Sequence, residues 1–226
     1  MDHPHAHYGA YGTKAAFLFH ELIRQEMPDG SGKRAFKKGG LIIEEGKPAN
    51  GLFCILSGKV KITRLGEGGK EQIIRLAGSR DVIGYHALLT GKHYKASAVA
   101  LEDTEVGFVP KKIFLDVLNS NPELTMQMLQ LLSTELDQSE TKRVDIATKT
   151  VRERLAEVLL LLNEDEDGNP GTSLSREDLA GMVGAAKEVV IRSLAQLKEE
   201  GLIETKGRQI FILNRQGLIR VAKIDS

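Results

Sequence analysis

Apolar positions along the chain change their spacing several times, and each change marks an element. Between Ala15 and Met27 they recur at helical spacing, with Phe17, Leu18, Leu22 and Ile23 on one side, and Pro28 to Gly32 ends the run. From Arg34 to Pro110 the segments shorten and alternate, with glycine-rich turn signals about every dozen residues, which predicts a β-sandwich or roll. Lys111 to Leu118 reads as a brief helix, stopped by Asn119-Ser120-Asn121-Pro122. A long helix then runs from Pro122 to about Asp145, ~35 Å at ~1.5 Å per residue. Leu124, Met128, Leu131 and Leu132 form one face of it, and Leu129 and Leu136 widen that face past a single seam. Such a helix is expected to lie on the β-roll with one side and on its own copy in a second subunit with the other, an isologous pair. The alternative is a monomer with a wide core stripe. Thr148 or Thr150 caps a further helix, Val151 to Leu162, buried through Leu155, Val158, Leu159 and Leu162.

Between Ser173 and Leu213 the pattern becomes two short helices, a glycine between them, and a hairpin. Leu179, Met182 and Val183 share a face of the first helix; Gly184 permits the sharp turn after it. In the second helix Val190, Leu194 and Leu197 fix the buried side, which sends Glu188 and Arg192 outward with Ala195 between them and Ile191 on the flank. A solvated Glu188–Arg192 pair is the other reading of that spacing. Ala180 and Gly184 supply the small residues a helix-turn-helix needs. Ile203/Thr205 and Ile210/Ile212 alternate about a tip, Lys206-Gly207-Arg208, that puts two cations on a tight turn. Together these predict a reading helix and a wing. Arg192 is expected to donate to guanine, Glu188 to accept from cytosine, and Val189 or Ile191 to touch a thymine methyl. Lys187 adds a base or phosphate contact, and Arg176, Lys206 and Arg208 hold phosphates.

The run S-R-E-D-L-A-x-x-V-G-x-x-x-E-x-V-x-R-x-L from Ser175, followed by E-E-G-L-I, resembles the Crp/Fnr family of bacterial transcription regulators. The similarity extends over roughly Leu18 to Ala222. It implies an α+β fold: an N-terminal antiparallel β-roll similar to cyclic-nucleotide-binding domains, a long dimerisation helix, and a C-terminal winged helix-turn-helix. The corresponding segments are a flexible terminus over 1–14, the effector-sensing roll with flanking helices over 15–121, the dimer helix over 122–147 and the DNA-binding domain over 148–226. In such regulators the positions matching Lys187, Glu188 and Arg192 face base edges. The family more often has Arg or Ser at Lys187 and Thr at Val189, which leaves the target sequence open.

Gly46, Gly58, Gly78 and Gly84 stand at the family's turn glycines, Gly84 opening the short helix beside the ligand pocket. Relatives that bind cyclic AMP carry Gly-Glu there and Arg-Ser before the next strand. This chain has Tyr85 in the Glu position and Tyr94-Lys95 near Arg-Ser, so it lacks the guanidinium fork that grips a cyclic phosphate. The expected effector is therefore an unidentified small molecule other than cyclic AMP, with Gly84, Tyr85, Tyr94, Lys95, Ser97 and Ser139 as the candidate pocket. Double-stranded DNA with a near-palindromic site, a second copy of the chain and RNA polymerase are the implied partners, the two reading helices lying ~34 Å apart. Switching is expected to pivot near Asp145 to Thr150.

Composition narrows the alternatives. In 226 residues, 31 Lys+Arg balance 31 Asp+Glu, which excludes a basic nucleic-acid coat but leaves room for a local positive surface. No apolar run reaches the ~20 residues of a membrane span and no signal-peptide pattern opens the chain, so the expectation is cytoplasmic, with no membrane partner. The single cysteine, Cys54, excludes an internal disulfide and a four-cysteine cluster, and its apolar strand context makes it core. The 65–70 run lacks phosphate-loop spacing and reads as a hairpin tip; the acidic 163–171 run lacks a calcium ladder and reads as a solvated turn. Met1-Asp2-His3 suits copper or nickel, but a frayed terminus explains His3, His5 and His7 as well. With no nucleophile–base–acid set, cofactor fingerprint or metal cluster, no enzyme is expected. A small-molecule module acting on a protein partner without DNA is the remaining alternative, and Lys187, Glu188 and Arg192 argue against it.

Overall fold

The computed structural model describes residues 32–69, 71–162 and 174–224. The helix expected over Ala15 to Met27, the histidine-rich terminus and the acidic 163–171 run lie outside them. Strands β1 (Lys33–Phe36), β2 (Leu41–Ile43), β3 (Gly51–Ser57), β4 (Val60–Leu65), β5 (Glu71–Ala77), β6 (Val82–Ile83), β7 (Ser97–Ala100) and β8 (Thr104–Pro110) form two four-stranded antiparallel sheets. Their orders are β1-β8-β3-β6 and β2-β7-β4-β5. Alternation along β3 divides the core in two. Phe53 and Ile55 join Ile43, Val60, Tyr94 and Val106 in one cluster, while Leu52 and Cys54 face a second one built with helices α1 (Tyr85–Thr90), α2 (Lys111–Ser120) and α3 (Pro122–Thr148). Because both faces of β3 are covered, its sequence is a continuous apolar run. Cys54 is fully buried, and burial pushes its thiol far above the ordinary range.

α3 begins as its sequence requires. Pro122 takes the first helical position and the Asn121 side chain accepts from the Leu124 amide at 3.0 Å. Leu124, Met128 and Leu131 are buried in the helix-side cluster. Leu129 and Leu136 stay 53% and 58% exposed. The helix runs three residues past Asp145, to Thr148.

The described residues divide within α3 into two compact units, one ending at Asp137 and one beginning at Gln138. In the second, α4 (Val151–Leu162) is capped by Thr150, whose hydroxyl accepts from Glu153 N while its own amide donates to the Glu153 carboxylate. Thr148 instead donates back to Val144 O. Leu155, Val158 and Leu159 are buried as expected, and Leu162 only partly. The junction expected to pivot is tied down. Lys149 pairs with Asp145 at 3.1 Å and with Glu157, and the Arg154 guanidinium donates to the carbonyls of Ile146 and Lys149. Four orphan groups end each helix, and here side chains satisfy several that a free hinge would leave to water.

Candidate nucleic-acid interface

Two helices and a hairpin build this surface. α5 (Arg176–Val183) opens with a reciprocal capping box between Ser175 and Asp178. It ends at Gly184, whose φ of +66° lies in the left-handed region that favours a residue without Cβ. α6 (Lys187–Glu199) follows, burying Val190, Ser193, Leu194 and Leu197. Lys187, Glu188, Arg192, Ala195 and Gln196 are exposed, and Ile191 is 45% exposed on the flank. Among the described residues neither the Glu188 nor the Arg192 side chain has a hydrogen-bond or ion-pair partner, so the two are not spent on each other. Gln196, one turn beyond Arg192, extends the polar stripe; the i+4 spacing was the signal for it.

Lys187 is engaged across the turn. Its ammonium pairs with the Glu177 carboxylate of α5, which holds that carboxyl below its usual range. To reach DNA, Lys187 must exchange this partner for a phosphate or base. Arg176 also departs from the expected free phosphate ligand. Its Nη2 donates to Gly207 O at 3.4 Å, its Nη1 is shielded from solvent with no partner among the described residues, and burial lowers its pKa. It braces α5 against the wing.

The wing is β9 (Ile203–Lys206) paired with β10 (Gln209–Ile212), Gln209 opposite Lys206. Gly207 at the first turn position has φ +61° and Arg208 does not share a positive φ, the arrangement of a type II′ turn. Arg208 is exposed. Lys206 stands 5.5 Å from the Phe211 ring centroid and 3.5 Å from Glu204. A cleft of about 200 Å³ separates α6 from β9, lined by Arg176, Ile191, Leu194, Ala195, Lys198 and Thr205. Lys198 is a cation that helical spacing alone did not single out, because the cleft exists only when the wing folds back.

The residues proposed for an effector pocket do not share one face of the roll. Gly84, at φ +91°, opens α1, and a Cβ there would stand 3.2 Å from both Ile43 Cδ1 and Tyr94 Cε1. Tyr94 lies in the inter-sheet cluster, its hydroxyl donating to Gly51 O at 2.5 Å, whereas Tyr85 lies in the helix-side cluster. Lys95 and Ser139 are exposed, and the Ser97 hydroxyl accepts from Glu45 N at 3.0 Å. Pattern alone could not separate Tyr85 from Tyr94, because each is an isolated aromatic whose direction is set by which layer covers it.

Tyr85 belongs to a polar group that the sequence did not disclose. Its hydroxyl donates to Glu135 Oε1 at 2.5 Å, and Arg75 Nη1 donates to the same oxygen at 2.8 Å. His86 Nε2 lies 3.0 Å from Glu135 Oε2, and Arg75 Nη2 donates to Val82 O. Burial pushes the Glu135 carboxyl up, but His86, Arg75 and Tyr85 outweigh it and hold the group below its usual value. Nearby, burial pushes Asp81 up to about 6, despite Arg75 and the Gly78 amide it accepts from at 2.8 Å. Side chains from β5 and α1 thus meet on one carboxylate of α3.

Comparison with known proteins fits both halves. Residues 33–121 match the cyclic nucleotide-binding domain and residues 153–221 the Crp-like helix-turn-helix domain. Electron transport regulator A of Shewanella oneidensis is 31% identical over 193 residues, covering 82% of this chain and 76% of that protein. The cyclic AMP receptor protein of Thermus thermophilus is 30% identical over 193 residues, covering 84% and 89%. Among solved structures, a transcriptional regulator of the CRP/FNR family from Thermus thermophilus superposes with TM-score 0.72 at 27% identity, over 86% of this chain and 100% of that one.

Proposed function

The chain belongs to the Crp/Fnr family of transcription regulators, and on that premise we propose that it acts as a homodimer reading a near-palindromic DNA site. The observation that carries this reading is the bare outer face of α6, where Glu188 and Arg192 stand exposed and, among the described residues, unpartnered, while Val190, Leu194 and Leu197 anchor the helix from behind. Arg192 donates to guanine N7 and O6, Glu188 accepts from cytosine N4, and Val189 or Ile191 meets a thymine methyl. Lys187 joins them once Glu177 releases it. Lys206 and Arg208 on the wing hold phosphates, and Arg176 contributes mainly by holding the wing tip. The half-exposed Leu129 and Leu136 supply the two-fold contact, which sets two reading helices ~34 Å apart in successive major grooves.

Control comes from the β-roll. Tyr94 fills the space beside Gly84, and no Arg stands where a cyclic phosphate would be gripped, so the effector is a small molecule other than cyclic AMP. RNA polymerase is the further partner, and the cytoplasm the compartment. Among the described residues no helix is long and apolar enough to cross a membrane.

Selection of bound duplexes from random DNA tests the reading. It should return a two-fold symmetric motif, and Arg192→Ala should cost about 1–3 kcal/mol on that motif and relax one base position in each half-site. Unchanged affinity for the selected duplex would remove Arg192 from the groove.

A further inference from the structure

Arg154 sits where α4's own field disfavours it. It is the fourth residue of α4, and cations are unfavourable in the first turn of a helix. It is also only 6% exposed. Burying an ionised side chain is costly unless its donors are matched. They are matched by backbone from two other helices. Nε donates to Val183 O at 2.9 Å, and Nη1 donates to Lys149 O at 2.5 Å and reaches Ile146 O at 3.4 Å. Val183 is the last residue of α5, just before the turn at Gly184 that leads into the reading helix. Ile146 lies in the last turn of α3 and Lys149 just beyond its end. These are orphan carbonyls at the negative ends of two helix dipoles, and a planar guanidinium offers donors in fixed directions to both. Lys149, held between Asp145 and Glu157, keeps the same junction closed from the other side.

We propose that Arg154 is a positioning residue that locks the turn of the helix-turn-helix to the end of the long helix, so that α6 meets DNA in one orientation. The proposal rests on the DNA-reading function but not on the identity of any effector. Arg154 touches no base; it acts through the Val183 carbonyl and the turn behind it.

The test uses the full chain carrying Arg154→Lys or Arg154→Met, with two readouts. Hydrogen–deuterium exchange is followed over residues 144–150 and 180–187. Affinity is measured for the duplex selected by the wild-type protein and for a scrambled duplex of equal length. In both variants exchange should rise together in the two segments by about tenfold or more, the scale of one lost buried hydrogen bond. The ratio of selected to scrambled affinity should fall by a similar factor, about tenfold, while scrambled-DNA affinity stays within about twofold. Arg154→Lys keeps the charge but cannot hold both helix ends, so rescue by it would overturn the proposal. Loosening at only one segment, or an equal loss on both duplexes, would overturn it as well. If Arg154→Met does not fold, Arg154→Lys alone decides. The exchange arm needs no DNA, so a wild-type protein that selected no duplex would sink the DNA-reading conclusion, while exchange would still decide whether Arg154 ties the turn at Gly184 to the end of α3.

Discussion

Replacing Leu129 and Leu136 together by Ala isolates the contact proposed between subunits. Both side chains are a little over half exposed in the single chain, at 53% and 58%. Complete burial of a leucine is worth about 1.5–3 kcal/mol, so covering the remaining half gives about 0.8–1.5 kcal/mol for each. A two-fold pairing buries four such side chains, and removing them should weaken association by about 3–6 kcal/mol, or about two to four decades in Kd. Alanine is the best helix former, so α3 itself should persist. Sedimentation velocity across a concentration series reads the Kd, and circular dichroism checks that the fold is intact. A folded double variant whose dimer Kd stayed within about threefold of wild type would refute the assignment of this face.

Asp81 carries a pH signature. Its folded pKa of about 6 lies above the ordinary 3.8, so the folded chain holds the proton more tightly than the unfolded chain. The group therefore leaves stability untouched below about pH 4 and subtracts up to about 3 kcal/mol as pH rises through 6. Asp81→Asn should be the more stable protein at pH 7 in urea unfolding, with the advantage fading by pH 4; a difference that does not change with pH would contradict this. Glu177→Gln frees Lys187 and removes a carboxylate from the DNA-facing side. Scrambled-duplex affinity should rise at low salt and the gain should vanish at high salt; a fall at low salt would count against Lys187 as a DNA contact. Arg208→Ala should weaken all duplexes alike and reduce the slope of log affinity against log salt by about one. Loss confined to the selected duplex would make Arg208 a base reader.

Much of the reading unit was legible along the chain because its evidence is local. Val190, Leu194 and Leu197 recur at helical spacing, Gly184 interrupts between two helices, and Lys206-Gly207-Arg208 sits between alternating strands; each signal spans a few residues. The exposure of Leu129 and Leu136 on α3 was legible in the same way, from an apolar stripe too wide for one seam. Cys54 in the core also followed from its neighbours in sequence.

What only the tertiary structure decided involves partners far apart in the chain. Nothing near Tyr85 or Tyr94 says which of two cores each enters. Glu135 lies on α3 fifty residues from Tyr85, yet takes its hydroxyl. Arg176 looked like a free phosphate ligand until the wing tip, thirty-one residues on, placed Gly207 O beside it. Arg154 drew no notice in the sequence, yet its guanidinium donates to Val183 O, twenty-nine residues further along the chain. Periodicity records how a segment divides between water and protein, since that is set by its own hydrophobic pattern. It carries no record of which distant carbonyl or carboxylate satisfies a buried donor, because that pairing exists only after the chain has folded back on itself.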